Sequence, residues 1–174
     1  MTGHSVPQLP VPALEGWVRE RTAHYDGAFV SDDPHFGHAH ITVLGPFDPA
    51  PAQGDLETLG GLARATPPVR VRLERLARFP NGIIHLVPDP DDALRDLTAR
   101  LVAAFPAWPP YDGEFGADVQ PHLTVDAVSD EVDLASTAAL LADVVPVEVV
   151  LDRLQLAWWE TDRCHVVAEG ALGR

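Results

Sequence analysis

Cysteine occurs once in the 174 residues, at Cys164. A lone thiol forms no intramolecular disulfide, which suits a reducing compartment and leads to a cytoplasmic expectation. Cys164 sits in no known nucleophile motif and lies in a run with Val166 and Val167. It therefore reads as a buried structural thiol. Basic residues are also few: 12 against 26 acidic ones, for a net charge of −14. Such a chain repels polyanions at long range, so extended nucleic-acid binding requires a local basic patch. Arg70, Arg72, Arg75 and Arg78 come closest, but apolar residues are interleaved with them. No extended nucleic-acid surface is expected. No apolar run approaches the length of a membrane-spanning helix. The start, MTGHSVPQLP, lacks the charged and then apolar pattern of a secretion signal. No membrane partner is expected either.

Apolar residues make up 46% of the chain, which suits a globular fold. The length gives one well-cored domain over residues 1–174. The 17 prolines, with many Ala, Arg and Asp residues, fit a high-GC bacterial coding sequence. A first strand is expected over residues 4–9. A helix follows from Leu14 to Tyr25, with Leu14, Val18 and Thr22 on one face. Ala39 to Leu44 alternates as a strand and stops at Gly45-Pro46. Asp55 to Ala65 reads as a helix with Asp55 as N-cap. Val69 to Ala77 and Ile83 to Val87 form a hairpin across Pro80-Asn81-Gly82. Asp91 to Phe105 is the clearest helix, with Leu94, Leu97, Leu101 and Val102 on one face. After a Pro- and Gly-rich loop, Val119 to Val128 is a strand. Leu134 to Val144 is a helix capped by Asp133. Val147 to Trp158 and Cys164 to Ala168 form a last hairpin. Four helices with hairpin-connected strands indicate an α+β fold with antiparallel sheets.

One long-range echo stands out. His40-Ile41-Thr42-Val43 recurs as His122-Leu123-Thr124-Val125, close to half the chain later. In a strand, residues two apart share a face. Each copy thus buries two aliphatics and presents an imidazole and a hydroxyl on the other side. An imidazole titrates near neutrality, so one can take a proton while the other gives one. A threonine hydroxyl can donate to a phosphate oxygen. Two facing copies would grip one phosphate from both sides without a metal or other cofactor. Metal binding and coincidence remain open on the residues alone.

These residues resemble the two-histidine (2H) phosphoesterase superfamily, and within it the bacterial 2′-5′ RNA ligase-like branch. HITV and HLTV carry its paired His-x-Thr signature. HAHITVLGPF is similar to its first motif, and VRERTAHYD to the helix leading into it. FPNGIIHLVPDPDDALRDLTARL and FPAWPPYDGEFGADVQPHLTV are similar to its second half. The likeness spans nearly all of residues 10–170. It implies two pseudo-symmetric lobes of antiparallel sheet with outer helices and an active-site groove between them. It implies opening of 2′,3′-cyclic phosphates of nucleotides or short RNA ends, or 2′-5′ RNA ligation. His40 and His122 would be the acid/base pair, and Thr42 and Thr124 the phosphate holders. RNA-acting members offer basic groove residues, whereas this chain is acidic. A small nucleotide or phosphodiester is therefore the expected substrate, with short RNA ends a further candidate.

Other residues carry weaker signals. His38 shares the face of His40, as a phosphate ligand or as a solvent-facing side chain at the groove mouth. Gln120 and Asp126 flank the second motif on the same face by parity, with Pro121 bending the strand at Gln120. Tyr111 and Phe115 could stack on a nucleobase or pin their loop to the core. Of Trp158 and Trp159, one is expected in the core and the other at the groove. His85 reads as structural. Two rival functions follow: a zinc-dependent hydrolase using His38, His40 and His122, and a protein that binds a phosphorylated ligand without turnover.

Overall fold

The computed structural model describes residues 3–116 and 118–173. Eight strands and four α-helices are found among them. The strands are β1 (His4–Pro10), β2 (His40–Thr42), β3 (Val69–Arg78), β4 (Ile83–Asp89), β5 (Leu123–Ala127), β6 (Val147–Leu151), β7 (Arg153–Trp159) and β8 (His165–Ala171). The helices are α1 (Glu15–Asp26), α2 (Gln53–Arg64), α3 (Asp92–Ala104) and α4 (Leu134–Leu141). The fold is α+β, with every strand pairing antiparallel.

The strands form two four-stranded sheets, ordered β2-β1-β7-β8 and β5-β4-β3-β6. Their wiring matches. In each, an inner strand (β1 or β4) runs into a helix (α1 or α3) and returns as an edge strand (β2 or β5) carrying a His-x-Thr motif. The two edge strands pack against each other, which brings the motifs together. Helix α1 also reaches across to β5.

The local chemistry accounts for most of these elements. On α3, Leu94, Leu97 and Leu101 are fully buried, as the helical period requires. Val69, Val71 and Leu73 alternate inward on β3 while Arg70 and Arg72 face out. The β3–β4 hairpin turns through Gly82 at φ +91°, a backbone conformation that suits glycine. Asp133 caps α4 by accepting from the Ser136 N–H at 2.8 Å. A continuous apolar core joins residues from both sheets, including Leu9, Ile41, Leu86 and Leu123.

Several expectations need correction. The strand expected from Val119 to Val128 forms only as β5, Leu123–Ala127, and the helix expected to reach Val144 ends at Leu141. Asp55 does not precede its helix. It lies in the first turn and reaches back to the Ala52 N–H at 2.9 Å, so α2 begins earlier, at Gln53. The stretch from Val147 to Trp158 is not one strand. It breaks at Asp152 into β6, which pairs with β3, and β7, which pairs with β1 and β8. The chain thereby crosses from one sheet to the other, and the final hairpin is β7–β8 alone.

Candidate active site

His40 opens β2, and His122 immediately precedes β5. Both rings are half-buried. Ile41, Val43, Leu123 and Val125 are buried on the opposite face, as the period-2 pattern demands. Thr42 lies half-buried and Thr124 exposed. Among the described residues neither hydroxyl makes a hydrogen bond, so both are available to a ligand.

The two imidazoles are oriented in the same way. His40 donates its Nδ1–H to the His38 carbonyl at 2.9 Å. His122 donates its Nδ1–H to the Gln120 carbonyl at 2.9 Å. A carbonyl oxygen only accepts, so the proton sits on Nδ1 and each neutral ring keeps a free Nε2. Burial, opposed by the bonded carbonyl and aided by the nearby His122, brings the His40 pKa down to about 4. Burial also lowers the His122 pKa, again opposed by its carbonyl partner. The effect of His122 on His40 places the two rings in one electrostatic site.

The surroundings of the rings differ. Trp159 lies beside His40, ring centres 5.3 Å apart, with its Nε1–H donated to Gln8 Oε1 at 3.1 Å. A cavity of about 270 Å³ opens at His40 and Thr42, walled by Trp159, Tyr111 and His4. On the other side, Phe79 meets the His122 ring edge-on at 4.8 Å and stacks flat on His85 at 3.9 Å. His85 is 1% exposed, and its ring nitrogens find no partner among the described residues. It is directly opposite Thr124 across the β4–β5 ladder, beneath the second motif.

A second cavity, of about 420 Å³, lies where α1 crosses β5, with Thr124 and Trp159 in its wall. At its edge, Arg21 grips the buried Asp126 carboxylate with contacts of 2.9 and 3.1 Å. The Tyr25 hydroxyl and the Thr137 hydroxyl also donate to Asp126. Burial alone would raise the Asp126 pKa, but these donors hold it below the ordinary carboxylate range.

His38 does not face solvent, and neither of its ring nitrogens is free for a ligand. It is 4% exposed, with Nδ1 at 2.5 Å from Glu15 Oε1 and Nε2 accepting from the Ser31 N–H at 3.0 Å. The loop over residues 31–38 folds back onto the sheet and covers it. With both ring nitrogens committed, His38 is a positioning residue, and the three-imidazole zinc set is not assembled. Among the described residues no group of three or more His, Cys, Asp or Glu is arranged to hold a metal ion. Asp126 also departs from the expected face. A bulge between Ile84 and His85 sets Asp126 opposite Ile84, so it turns inward. Tyr111 is half-buried beside Thr42, and its N–H donates to the Gly45 carbonyl at 2.7 Å. Phe115, its edge-on neighbour, is 57% exposed. Cys164 is buried, as expected.

Sequence reasoning missed Glu15, His4 and Arg75. Glu15 accepts from the His38 and Ala39 N–H groups at 3.2 and 2.9 Å. It thereby pins the segment whose carbonyl orients His40. Arg75 is turned by a bulge in β3 onto the face of His85 and Thr124. Only the break in alternation at Glu74-Arg75 could have signalled it.

The model of the 2′-5′ RNA ligase superfamily matches residues 10–163. The chain belongs to this superfamily of two-histidine phosphoesterases. Its members are phosphoesterase- and ligase-type enzymes. No curated protein is similar enough in sequence to count as a relative. Solved structures share the fold of this 2H phosphoesterase. Escherichia coli LigT complexed with 3′-AMP superposes with a TM-score of 0.57 at 15% identity, covering 100% of both chains. A Thermus thermophilus protein gives 0.56 at 16% identity, over 98% of this chain and 99% of its own. A crystal structure described as a phosphoesterase gives 0.55 at 15% identity, over 100% of both. At such identities the likeness speaks for the fold alone.

Proposed function

We propose that this 2H phosphoesterase opens 2′,3′-cyclic phosphates of nucleotides or short RNA ends by metal-independent acid/base catalysis at His40 and His122. The observation that carries this reading is the matched pair of rings, each with Nδ1 tied to a carbonyl and Nε2 free beside a free threonine hydroxyl. A phosphate between them would meet a proton acceptor on one side and a proton donor on the other. Thr42 and Thr124 would donate to its non-bridging oxygens. With its pKa brought to about 4, His40 is unprotonated at neutral pH and would serve as the base in the hydrolytic direction, with His122 as the acid. His40 takes a proton from water as the water oxygen bonds to phosphorus. His122 gives its proton to the ribose oxygen as the P–O bond breaks. The ring opens to a phosphomonoester, and the site returns to its starting state when the two protons re-equilibrate with solvent.

LigT, which shares the fold, has been crystallised with 3′-AMP and with phosphate. That fits a small phosphorylated ligand for this chain too. The charge distribution agrees. Arg21, Arg72, Arg95, Arg100, Arg153 and Arg163 each pair with carboxylates. Half of the 12 basic residues are thereby neutralised locally, and the net charge of −14 opposes a polyanion at long range. Ligation in reverse would use the same two histidines, and the direction would follow substrate supply.

The test is turnover, with chelator present, of 2′,3′-cyclic mononucleotides against a long RNA with a cyclic phosphate end. Preference for the small substrate at low salt, with rates nearly unchanged as salt rises, is the expected result. Preference for the long RNA, lost steeply with salt, would overturn the small-substrate reading. A rate abolished by EDTA and restored by zinc would overturn the mechanism.

A further inference from the structure

Two glutamines, Gln8 and Gln155, lie fully buried and directly opposite each other on β1 and β7. A buried amide is costly unless its polar atoms are paired. Here every amide atom is spent. Gln8 donates through Nε2 to the Gly37 carbonyl at 2.9 Å and to Gln155 Oε1 at 3.1 Å. Its own Oε1 accepts the Trp159 indole N–H at 3.1 Å. Gln155 Oε1 also accepts the Gly37 N–H at 3.1 Å. Gln155 Nε2 donates to the His35 carbonyl at 2.7 Å and to Glu169 Oε2 at 3.3 Å.

Both ends of this network lead to His40. At one end stands Trp159, its ring centre 5.3 Å from that of His40. At the other end, both backbone groups of Gly37 are held, and the next carbonyl, that of His38, accepts the His40 Nδ1–H. A Cβ at residue 37 would stand 2.9 Å from Pro10 Cβ, so only glycine lets the segment lie this close to the sheet. Glu15 grips the same segment from α1, at the His38 and Ala39 N–H groups.

We infer that Gln8 is a positioning residue for His40, with its amide oxygen fixing the Trp159 ring beside the imidazole and its amide nitrogen fixing the Gly37–His38 segment that orients it. A neutral side-chain amide can do both because it carries an acceptor and two donors on one rigid plane. Gln155 completes the device by holding the other side of Gly37. The inference rests on the acid/base reading of His40 and adds to it a buried residue that touches no substrate.

The first readout is steady-state kinetics on adenosine 2′,3′-cyclic phosphate. Gln8→Met keeps the length and removes every polar atom. Gln8→Asn keeps the amide but is one carbon too short to meet Trp159 and Gly37 together, and it serves where Gln8→Met does not fold. In folded protein each should lower kcat about tenfold and leave KM within about threefold, because a misaimed base costs mainly in the transition state. Combined with Glu15→Ala, which frees the same segment, the losses should not multiply. Combined with Thr124→Val in the other lobe, they should multiply. A kcat within about twofold of wild type in a folded variant, or full multiplication with Glu15→Ala, would overturn the inference while leaving the hydrolase reading intact.

The second readout needs no turnover. The His40 Nδ1–H, followed by NMR of the ring, should exchange with solvent at least about tenfold faster in either variant than in wild type, because its carbonyl partner is no longer held in place. If no cyclic phosphate is turned over, the hydrolase reading fails and this exchange rate alone decides. Unchanged exchange in a folded variant would overturn the inference whatever the activity.

Discussion

His40 and His122 are held by the same bond, an Nδ1–H donated at 2.9 Å to the carbonyl two residues earlier in the chain. The shared geometry selects one tautomer in both rings and turns both Nε2 atoms outward. The two lobes differ in what lies behind that bond. On the His40 side, the Glu15 carboxylate holds the backbone at His38 and Ala39.

Glu15 therefore positions His40 without touching a substrate. Glu15→Ala should lower kcat more than it raises KM, by about tenfold, because a misaimed general base costs mainly in the transition state. Glu15→Gln keeps one oxygen acceptor and should recover part of the loss. Equal activity in the Ala and Gln variants, or a loss confined to KM, would contradict this role. The measurement is steady-state kinetics on folded variants matched by circular dichroism.

The threonines give a second expectation. Thr42→Val and Thr124→Val preserve shape and remove the hydroxyl. Each should reduce kcat by about 10-fold to 100-fold with the fold retained, since the lost donor acts on charge that builds on the phosphate. A rise in KM alone would mean that the hydroxyls hold ground state and transition state equally.

Much of this was legible in the sequence, and the failures have physical causes. The repeated His-x-Thr triplet, its separation by half the chain and the leucine stripe of α3 are periodic signals within one element. The four α-helices and most of the strands could be read from such patterns, though the strand expected over Val119 to Val128 forms only over Leu123–Ala127. What could not be read depends on tertiary pairing. His38 looks like a groove residue by parity with His40, yet a loop seals it against Glu15 and Ser31. Parity puts Asp126 on the face of His122 and Arg75 on the core face of β3, and the bulges in the β4–β5 and β3–β4 ladders reverse both. The break at Asp152 is hidden because both halves of the run have strand composition. The pairing of Arg21 with Asp126 joins α1 to β5 across the whole first half of the chain, which no local pattern encodes.

That ion pair makes a stability prediction. Asp126 is fully buried, so removing its partner strands a charge. Arg21→Met should cost about 3 kcal/mol of unfolding free energy, the low end for such a break because the Tyr25 and Thr137 hydroxyls remain. Chemical denaturation at neutral pH reads it. Asp126 is held below its usual pKa, so its contribution is present above that value and is lost as pH falls through the folded one. The variant should therefore lose its deficit in acid. A loss below about 0.5 kcal/mol would show the pair to be no stronger than a surface contact.

Protonation of His40 provides a separate pH signature. Its folded pKa of about 4 lies below the ordinary 6.5, so the unfolded chain binds the proton first. Stability from this group is complete above pH 6.5 and is lost as pH falls from there towards 4. His40→Gln should flatten the acid side of the melting-temperature profile. In the free enzyme both histidines sit low, so kcat/KM should be bell-shaped with its maximum on the acid side of 6.5. A bound phosphate anion favours both imidazoliums. The kcat profile should accordingly lie at higher pH than that of kcat/KM, and coincident profiles would contradict a phosphate between the rings.

The central claim, that two histidines act as one acid/base unit, is tested most directly by a double-mutant cycle. The measurement is kcat for adenosine 2′,3′-cyclic phosphate in wild type, His40→Ala, His122→Ala and the double variant, with chelator present throughout. Each single change should slow turnover by about 10²–10⁴-fold with little change in stability. The double variant should fall within about tenfold of the slower single one, because a proton relay missing either partner is already broken. Near-normal turnover in His122→Ala, or losses that multiply in the double variant, would contradict the account.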